Sequence, residues 1–403
     1  MPNPHTHQDE RAMPLSKHRP RVLHVVRQYR PSIGGMETYV EELAARQTQD
    51  FEVQILTLNR VFGTEKVLPE REVLRGIEVI RVPFIGGKRA FIPNVSHSLL
   101  ADADIIHIHG ADQLMDTVSF MSRFTKAAVF MTTHGLFFHT EALKRVKQAY
   151  FRSITPQSLG RMTEIFSCSG NDQAKLKEIG IESRFFPNPI VPIENDLLCH
   201  GDEFLYLGRL AENKRIDRLL TFIAYLKERG VHAHLNIVGA DQDNLGPSLR
   251  AEAAANTIAD QVSFHGFVTH DELVQICRMC GYCISASSFE GFGMAMVEGM
   301  SVGLMPVMHR NEAFSEIHRR SGVGLTLDFD RPQEAASLFL GWRDSITPTE
   351  REVARDFARQ QSWETAAEEV RNSYLKALSS EADQPAAHRR ERVPVSLSAG
   401  PSA

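Results

Sequence analysis

Long apolar runs and cysteines are both scarce in this sequence of 403 residues. No stretch of about 18 consecutive apolar residues occurs, so we predict no transmembrane helix. The first twenty residues are polar and rich in histidine and charge, which is unlike a secretory signal. The chain has only 5 cysteines. Without an export signal, these indicate a reduced, cytoplasmic protein with no disulfide framework.

A strong charge of one sign is also absent. The net charge is −5 at pH 7, and hydrophobic residues make up 42% and charged residues 24% of the chain. This composition is ordinary for a globular protein and excludes an intrinsically disordered one. Residues 1–200 carry a net charge of +2 and residues 201–403 a net charge of −7, so the first half is better suited to an anionic surface. No basic tract typical of nucleic-acid binding occurs, and we expect no nucleic-acid partner.

Short β-branched runs alternate with amphipathic stretches along most of the chain, a pattern typical of parallel sheets wound by helices. The predicted strands are residues 21–26, 51–56, 77–82, 105–109, 127–133 and 165–167, then 203–207, 233–238, 262–265, 281–285 and 305–308. We therefore predict an α/β protein with doubly wound sheets, in which ligands bind at the carboxyl ends of the strands.

The strand–helix pattern restarts near residue 200, after the breaker-rich segment Phe186-Pro187-Asn188-Pro189. We predict a first domain at residues 20–190 and a second at residues 191–377, facing each other across a cleft, with a last helix that can pack back on the first domain. The ends, residues 1–19 and 378–403, are poor in large apolar residues, so we expect both to be disordered.

Glycines and cations follow two of the predicted strands. Gly34 and Gly35 lie between the first strand and a helix, where backbone N–H groups can approach a phosphate closely. A plain tight turn is the alternative. Arg209 and Lys214 follow the first strand of the second domain, where they can bind phosphate oxygens. Two solvated surface cations are the alternative there.

The segment from Glu290 to Glu298 carries the most specific pattern. Glu290 is predicted in a loop after a strand, and Glu298 in the helix that follows. Two carboxylates at the carboxyl end of a strand can accept hydrogen bonds from sugar hydroxyls, while Gly291 and Gly293 leave backbone amides free for a phosphate. The alternative is an ordinary capped helix start. The functional interpretation is favoured here over the structural alternative.

The paired glycines, the two cations and the two glutamates separated by seven residues together resemble the retaining glycosyltransferases of family 4. The resemblance covers about residues 20–375. It implies the GT-B fold, in which two Rossmann-like domains face a cleft, the first on the acceptor side and the second binding the nucleotide sugar. A closer resemblance, to bacterial α-mannosyltransferases that build exopolysaccharide on a polyprenyl diphosphate, is carried by residues 24–28, 31–37, 133–135, 138–140 and 290–293.

The resemblance implies roles for matching residues on the donor side. Arg209 and Lys214 would hold the donor diphosphate and stabilise its departure, and the Gly35 amide would touch the distal phosphate. Glu298 would bind the donor ribose, and Glu290 would contact the transferred sugar. The other implied donor contacts are Gly34, Gly293, Met294 and, against the nucleotide base, Val268.

The resemblance also implies roles on the acceptor side of the cleft. His134 matches the histidine that lies beside the reacting sugar. His109 and Ser169 are expected to face the acceptor. The implied catalytic set is His134, Lys214 and Glu290. The chain departs from the family where the usual Asn-Gly turn reads Asn188-Pro189, which puts the conformation of that loop in question.

The implied reaction is transfer of a hexose to a polyprenyl-diphosphate-linked oligosaccharide with retention of anomeric configuration. The closer resemblance indicates mannose from GDP-mannose. Cationic side chains and helix-terminus amides would stabilise the leaving diphosphate, so no metal or other cofactor is expected. The alternatives are UDP-glucose or UDP-N-acetylglucosamine as donor, or a non-catalytic sugar-nucleotide-binding protein.

A polyprenyl-linked acceptor stays in the bilayer, so a cytoplasmic chain without a span must work at the inner face of the membrane. Residues 141–161 are predicted to form a basic amphipathic helix, with Lys144, Arg145 and Lys147 facing the headgroups. The alternative is a helix that packs its apolar face on its own domain and leaves its cations in water.

Other patterns are weaker pointers to chemistry. Asp102-Ala103-Asp104 precedes a strand and is expected at the amino edge of the sheet, away from ligands. His107 and His109 share one strand face and could bind a metal, although hydrogen-bonded histidines near the cleft are favoured. The Cys-x2-Cys-x2-Cys run at residues 277–283 lacks a fourth ligand and is interpreted as core thiols. Gly291-Phe292-Gly293 lacks the third glycine of a dinucleotide fingerprint.

Overall fold

The computed structural model describes residues 19–32, 34–88, 90–136, 144–194, 197–199, 201–241 and 243–382. The strands are β1 (Arg21–Val26), β2 (Glu52–Leu58), β3 (Arg71–Leu74), β4 (Ile77–Val82), β5 (Phe84–Gly87), β6 (Ala90–Pro93), β7 (Ile105–His109), β8 (Ala128–Thr132), β9 (Glu164–Ser167), β10 (Arg184–Phe185), β11 (Glu203–Leu207), β12 (Leu235–Val238), β13 (Val262–Gly266), β14 (Cys280–Ser285), β15 (Met305–His309) and β16 (Leu325–Leu327).

The helices follow the same order along the chain. They are α1 (Gly35–Gln47), α2 (His97–Ala101), α3 (Gln113–Ser122), α4 (Lys144–Ser153), α5 (Thr155–Leu159), α6 (Gly170–Glu178), α7 (Ile216–Glu228), α8 (Gly246–Ala255), α9 (His270–Met279), α10 (Met294–Met300), α11 (Glu312–Ser321), α12 (Pro332–Arg343), α13 (Pro348–Arg359) and α14 (Trp363–Ala382). Within the residues that the structure describes, no helix is both long and apolar enough to cross a bilayer.

The strands form two large sheets and a separate hairpin. The first sheet has the order β10-β9-β8-β7-β1-β2-β4-β3, with β3 antiparallel to β4 at one edge and parallel pairing elsewhere. The second sheet has the order β13-β12-β11-β14-β15-β16 and is parallel. β5 and β6 form the hairpin. The predicted doubly wound α/β architecture is confirmed.

Each predicted strand is present, with its ends within two residues of the predicted ones. The sequence patterns missed the β5–β6 hairpin and the edge strands β3, β10 and β16. These strands are short and only partly buried, so they lack the continuous apolar run that marks a strand covered on both faces. The helix predicted to follow Gly34 and Gly35 already includes Gly35, at which it begins.

The last helix joins the core of the first sheet. Trp363 and Tyr374 of α14 pack with Tyr39 and Val40 of α1 against one face of that sheet. α14 continues to Ala382, past the predicted domain end at residue 377. The two sheets are linked between β10 and β11, and the predicted boundary at residue 190 stays a prediction. Most of the two predicted tails lies outside the described residues.

The carboxyl ends of strands from both sheets face a common cleft. A cavity of about 480 Å³ is lined by His134 and Ser169, which follow β8 and β9, and by Glu290 and Arg310, which follow β14 and β15. Asn188 of the link between the sheets also lines it. This is the edge at which parallel α/β sheets bind their ligands.

Candidate active site

A second cavity, of about 350 Å³, lies at the carboxyl ends of β11 and β14. Predicted donor-site residues in its lining are Arg209, Lys214, Glu290, Gly293 and Met294. Gly293 precedes α10 with a φ of +92°, and a Cβ there would lie 2.8 Å from the ring of Phe314. Only glycine fits this turn without strain. The fold therefore brings these donor-site candidates of the second sheet together.

Lys214 and Glu290 form an ion pair in this cavity, with 2.7 Å between Nζ and Oε1. Their side chains are 19% and 15% exposed, so removal of either one leaves a poorly solvated charge. Arg209 lines the same cavity and is exposed. Within the described residues, nothing accepts a hydrogen bond from its guanidinium. One cation held by a carboxylate and a second open to solvent suit a diphosphate ligand.

Glu298 is the fifth residue of α10, and Glu290 lies in the loop that precedes this helix. Burial raises the pKa of the Glu298 carboxyl to about 7. No residue in the described part of the chain donates a hydrogen bond to it. A desolvated carboxylate without donors is costly by itself, but it can accept hydrogen bonds from the two hydroxyls of a sugar diol.

His134 lies in a turn after β8 that a buried carboxylate holds in place. His134 has a φ of +50°, in the left-handed region that is unusual for a residue with a side chain. The Asp172 carboxylate accepts hydrogen bonds from Thr133 Oγ1 at 2.6 Å, Gly135 N at 3.0 Å and Leu136 N at 3.1 Å. These three bonds bracket His134 and fix its backbone.

Asp172 was not among the predicted site residues. It follows Ser169, the N-cap of α6, whose Oγ accepts a hydrogen bond from Asp172 N at 3.1 Å. The Ser-x-x-Asp spacing is a helix-start signal that could have been found in the sequence. The spacing predicts a side chain that caps its own helix, whereas here the carboxylate bonds to the turn after another strand.

Three further histidines lie beneath His134 in the first sheet. His24 of β1 and His107 and His109 of β7 are each at most 1% exposed. Burial lowers the pKa of His24 to about 4 and that of His134 to about 3, and it places the pKa values of His107 and His109 well below the ordinary value. The four imidazoles are therefore neutral at pH 7.

Comparison with known proteins identifies the family of this chain. A family model described as Glycosyltransferase Family 4 matches residues 33–192, and one described as Glycosyl transferases group 1 matches residues 200–345. The chain is 30% identical to the GDP-mannose:cellobiosyl-diphosphopolyprenol alpha-mannosyltransferase of Xanthomonas campestris over 78% of this chain and 85% of the relative. The protein of that name from Komagataeibacter xylinus is 29% identical over 89% of this chain and 93% of the relative. The chain belongs to glycosyltransferase family 4.

Solved structures show the same fold. Sucrose-phosphate synthase from Thermosynechococcus elongatus aligns with a TM-score of 0.64 at 17% identity, over 90% of this chain and 100% of that one. The Anabaena protein HepE, solved in complex with UDP and glucose, aligns with a TM-score of 0.62 at 15% identity, over 90% and 100%. The glycosyltransferase described here thus has the GT-B fold, and it is an enzyme of the hexosyltransferase class.

The structure does not bring every predicted residue of this glycosyltransferase to a cavity wall. Gly34 and Gly35 lie at the start of α1, Val268 follows β13, and Glu298 lies in α10. Although all four are described, neither cavity includes them in its lining. Ser169 does line the cleft. His109, expected to face the acceptor, is 1% exposed. That expectation needs correction, because the alternation along β7 points His109 into the interior beneath His134.

Two groups of side chains have ligand atoms close enough to hold a metal ion. They are His24, His107 and His109, and His309, Asp328 and Asp330. In the first group both ring nitrogens of each histidine already have a hydrogen-bond partner, so a metal would have to displace these bonds. In the second group Asp330 is paired with Arg218. Neither group lies among the residues that line the two cavities.

The Asp-x-Asp pattern and the cysteine run lie where they were expected from the sequence, at the amino edge of the sheet and in the core. Asp104 accepts a hydrogen bond from Arg21 N at 2.8 Å, at the start of β1, so the pattern lies at the amino edge of the sheet. All five cysteines are buried and free. Burial raises the pKa of the Cys277 thiol to about 12, so it stays protonated in the core. The side chains of Lys144, Arg145 and Lys147 lie outside the described part of the structure.

Proposed function

We propose that this glycosyltransferase transfers mannose from GDP-mannose to an oligosaccharide carried on a polyprenyl diphosphate, with retention of anomeric configuration. The observation that carries the proposal is the arrangement at β14 and α10, where Glu290 pairs with Lys214 in the cavity and the partly buried Glu298 has no hydrogen-bond donor among the described residues. The names of the relatives from Xanthomonas campestris and Komagataeibacter xylinus support the donor and acceptor.

The chemistry requires separation of charge across the cleft. The bond between the sugar C1 and the diphosphate oxygen breaks, and its electron pair goes to that oxygen. Lys214 and Arg209 stabilise the departing negative charge. The acceptor hydroxyl oxygen bonds to C1 on the same face, and its proton passes to the departing phosphate oxygen. Glu290 and the uncharged His134 face the sugar, which becomes positively charged, and neither side chain repels it.

We propose that no metal takes part. Lys214 and Arg209 line the cavity assigned to the diphosphate, whereas the Asp-x-Asp pattern lies at the opposite edge of the first sheet. Two cations at the leaving group can supply the stabilisation that a bound divalent ion supplies in other enzymes.

We propose that the first domain docks on the inner face of the cell membrane. Phe120 and Phe124, at the end of α3, are 56% and 69% exposed, and Ile154, between α4 and α5, is 44% exposed. Arg123 lies over the Phe120 ring at 5.2 Å and donates to Gln157 O of α5 at 3.4 Å, which places these side chains in one neighbourhood. Exposed rings beside cations suit an anionic headgroup layer. The patch adjoins α4, which carries Lys144, Arg145 and Lys147.

A nucleotide panel tests the donor. Thermal unfolding is measured with GDP, GDP-mannose, UDP, UDP-glucose and UDP-N-acetylglucosamine. A ligand of the folded state at about 100 times its dissociation constant stabilises it by about 2.7 kcal/mol, so GDP and GDP-mannose should raise the Tm most. A rise with UDP or UDP-glucose and none with GDP would assign a uridine nucleotide donor instead. No rise with any nucleotide would contradict the assigned cavity.

Co-sedimentation with anionic liposomes tests the docking face. Replacement of Lys144, Arg145 and Lys147 by Glu, or Phe124→Asp alone, should reduce pelleting at low salt. Leu338→Asp, at a 49% exposed position on α12 of the second domain, is the matched control and should pellet like the wild type. Equal binding by all variants, or pelleting that high salt does not weaken, would contradict an electrostatic contact at this face.

A further inference from the structure

The histidines beneath His134 form a hydrogen-bonded chain that ends at Gln47 of α1. His134 Nε2 lies 3.2 Å from His109 Nδ1, His109 Nε2 lies 2.9 Å from His24 Nδ1, and His24 Nε2 lies 2.8 Å from Gln47 Oε1. His134 lines the cleft, whereas the other three residues are at most 2% exposed. The chain therefore leads from the cleft into the core of the first sheet.

The sheet register builds this chain from residues far apart in sequence. β1 and β7 are parallel neighbours, with His24 paired with His107 and Val26 paired with His109. Alternate residues of a strand point to one face, so His24, His107 and His109 share the face that α1 and α14 cover. His107 stacks on the His109 ring at 4.3 Å between centroids, but its own hydrogen bonds are outside the chain, to Tyr374 OH at 2.5 Å and Thr132 Oγ1 at 2.8 Å.

The order of protons along the chain follows from its terminal acceptor. A neutral imidazole has one N–H donor and one lone-pair acceptor. Since the Gln47 carbonyl oxygen can only accept, His24 carries its proton on Nε2 and accepts at Nδ1 from His109 Nε2–H. His109 then accepts at Nδ1 from His134 Nε2–H. The Nδ1 of His134 is left as an acceptor.

The surroundings of His134 support this tautomer. Cys168 Sγ lies 3.9 Å from His134 Nδ1, and burial raises the pKa of the Cys168 thiol to about 12, so the thiol keeps its proton and is only a weak donor. The Tyr39 ring contacts the His134 ring edge-on at 4.4 Å between centroids. The Asp172 carboxylate is used by the turn itself. A substrate hydroxyl can therefore replace the thiol at Nδ1.

We propose that His24 and His109 are positioning residues that, with Gln47 as the terminal acceptor, fix His134 as a neutral Nε2–H tautomer whose Nδ1 accepts a hydrogen bond from a sugar hydroxyl. The part that concerns the sugar rests on the proposed function. A neutral imidazole in one tautomer offers a hydroxyl an acceptor without placing positive charge beside a sugar that itself becomes positive. The same ring in the other tautomer would offer a donor.

The first test reads the tautomer directly and needs no activity. The full chain is labelled with ¹⁵N-histidine, and long-range ¹H–¹⁵N spectra are recorded from pH 5.5 to 8.5, with signals assigned by single histidine substitutions. The expected result is an Nε2–H signature for His24, His109 and His134 that does not titrate over this range. An Nδ1–H signature for His134, or titration of His134 near its ordinary pKa, would overturn the proposal.

The second test separates positioning from stability. His109→Phe breaks the chain and should lower kcat roughly 10-fold to 100-fold, as loss of an orienting partner does at other functional histidines, with little change in KM for the donor. His109→Gln keeps a donor and an acceptor and should recover most of kcat. His107→Phe is the matched control, because it removes an equally buried histidine outside the chain and should lower the Tm while leaving kcat near the wild type.

Equal losses of kcat in His107→Phe and His109→Phe at equal losses of Tm would overturn the positioning role and leave a purely structural one. The two proposals fail separately. If the wild type transfers no hexose from any donor, the proposed function fails, and the ¹⁵N spectra still decide whether the chain of imidazoles holds His134 in a single tautomer.

Discussion

The two walls of the cleft differ in how they use ionisable groups. The second-sheet wall has paired and exposed charges, with Lys214 against Glu290 and Arg209 open to solvent. The first-sheet wall has buried imidazoles that stay neutral, because burial lowers the pKa of each. Under the proposed function, cations lie where the diphosphate is bound and released, and positive charge is withheld where the sugar becomes positive. The comparison teaches that one cleft can keep opposite electrostatic demands on separate domains.

Lys214→Ala tests the charged groups of the second-sheet wall most directly. The substitution removes one of the two cations assigned to the proposed leaving group and leaves Glu290 poorly solvated. Loss of one transition-state contact of this kind costs about 2.7–4 kcal/mol, or roughly 100-fold to 1,000-fold in kcat. Lys227→Ala, which removes a surface cation that pairs with Asp260 on the same domain, is the control. Near wild-type turnover in Lys214→Ala would refute the phosphate contact.

The first-sheet wall depends on the Asp172 carboxylate, which holds the turn around His134 in place. Asp172→Ala leaves Thr133 Oγ1 and two backbone N–H groups without their buried acceptor, so it should lower the free energy of unfolding by about 3 kcal/mol. Asp116→Ala, which removes a single side-chain bond from Ser158 at 2.6 Å, should cost about 1 kcal/mol. Chemical denaturation measures both values. Equal small losses would show that Asp172 does not hold the His134 turn.

Glu298 sharpens the comparison, because it is a partly buried carboxylate on the second-sheet side, and its pKa is raised as those of the histidines are lowered. Burial raises its pKa from 4.5 to about 7, so the folded state favours the protonated form, and the wild type loses stability as the pH rises from 4.5 through 7. Glu298→Gln removes this loss. The variant should match the wild type near pH 4.5 and exceed it at pH 8 by up to about 3 kcal/mol, while binding nucleotide more weakly.

Thermal unfolding at the two pH values measures this difference. Glu228→Gln, at the exposed end of α7, should follow the wild type at both. If Glu298→Gln were less stable than the wild type at pH 8, the Glu298 carboxylate would be stabilised by interaction partners. Desolvation would then not be the dominant effect on its ionised form.

The smallest expected effect is that of chelation. If Lys214 and Arg209 stabilise the leaving diphosphate, excess EDTA should leave the initial rate of transfer unchanged. Complete loss of the rate in EDTA, restored by Mg²⁺ or Mn²⁺, would transfer that role from the side chains to a metal ion.

Sequence reasoning was effective where the chemistry is local. Glu290 and Glu298 lie within one loop–helix unit, so their spacing was enough to make them candidates. Lys214 follows β11, the strand paired with β14, and the family resemblance assigned its role. The parallel sheets were equally predictable, because strands buried on both faces are continuous apolar runs.

The contacts among the neutral histidines of the first-sheet wall could not be predicted from local sequence spacing. His24 meets His109 only through the register of β1 against β7, and Gln47 reaches them from the far end of α1. Asp172 acts on a turn that follows a different strand. These contacts depend on which strands become neighbours and in what register, and no local spacing encodes that. His109 was accordingly expected at the acceptor surface and lies beneath it.

The most direct test of the account is transfer itself. Purified protein is incubated with a polyprenyl-diphosphate-linked cellobiose, the acceptor named for the relatives, and with radiolabelled GDP-mannose, UDP-glucose or UDP-N-acetylglucosamine in separate reactions. We expect label to enter the lipid fraction from GDP-mannose and not from the uridine nucleotides, and Lys214→Ala to lower the rate of this transfer roughly 100-fold to 1,000-fold. Label entering from a uridine nucleotide but not from GDP-mannose, or from none of the three, would contradict the account.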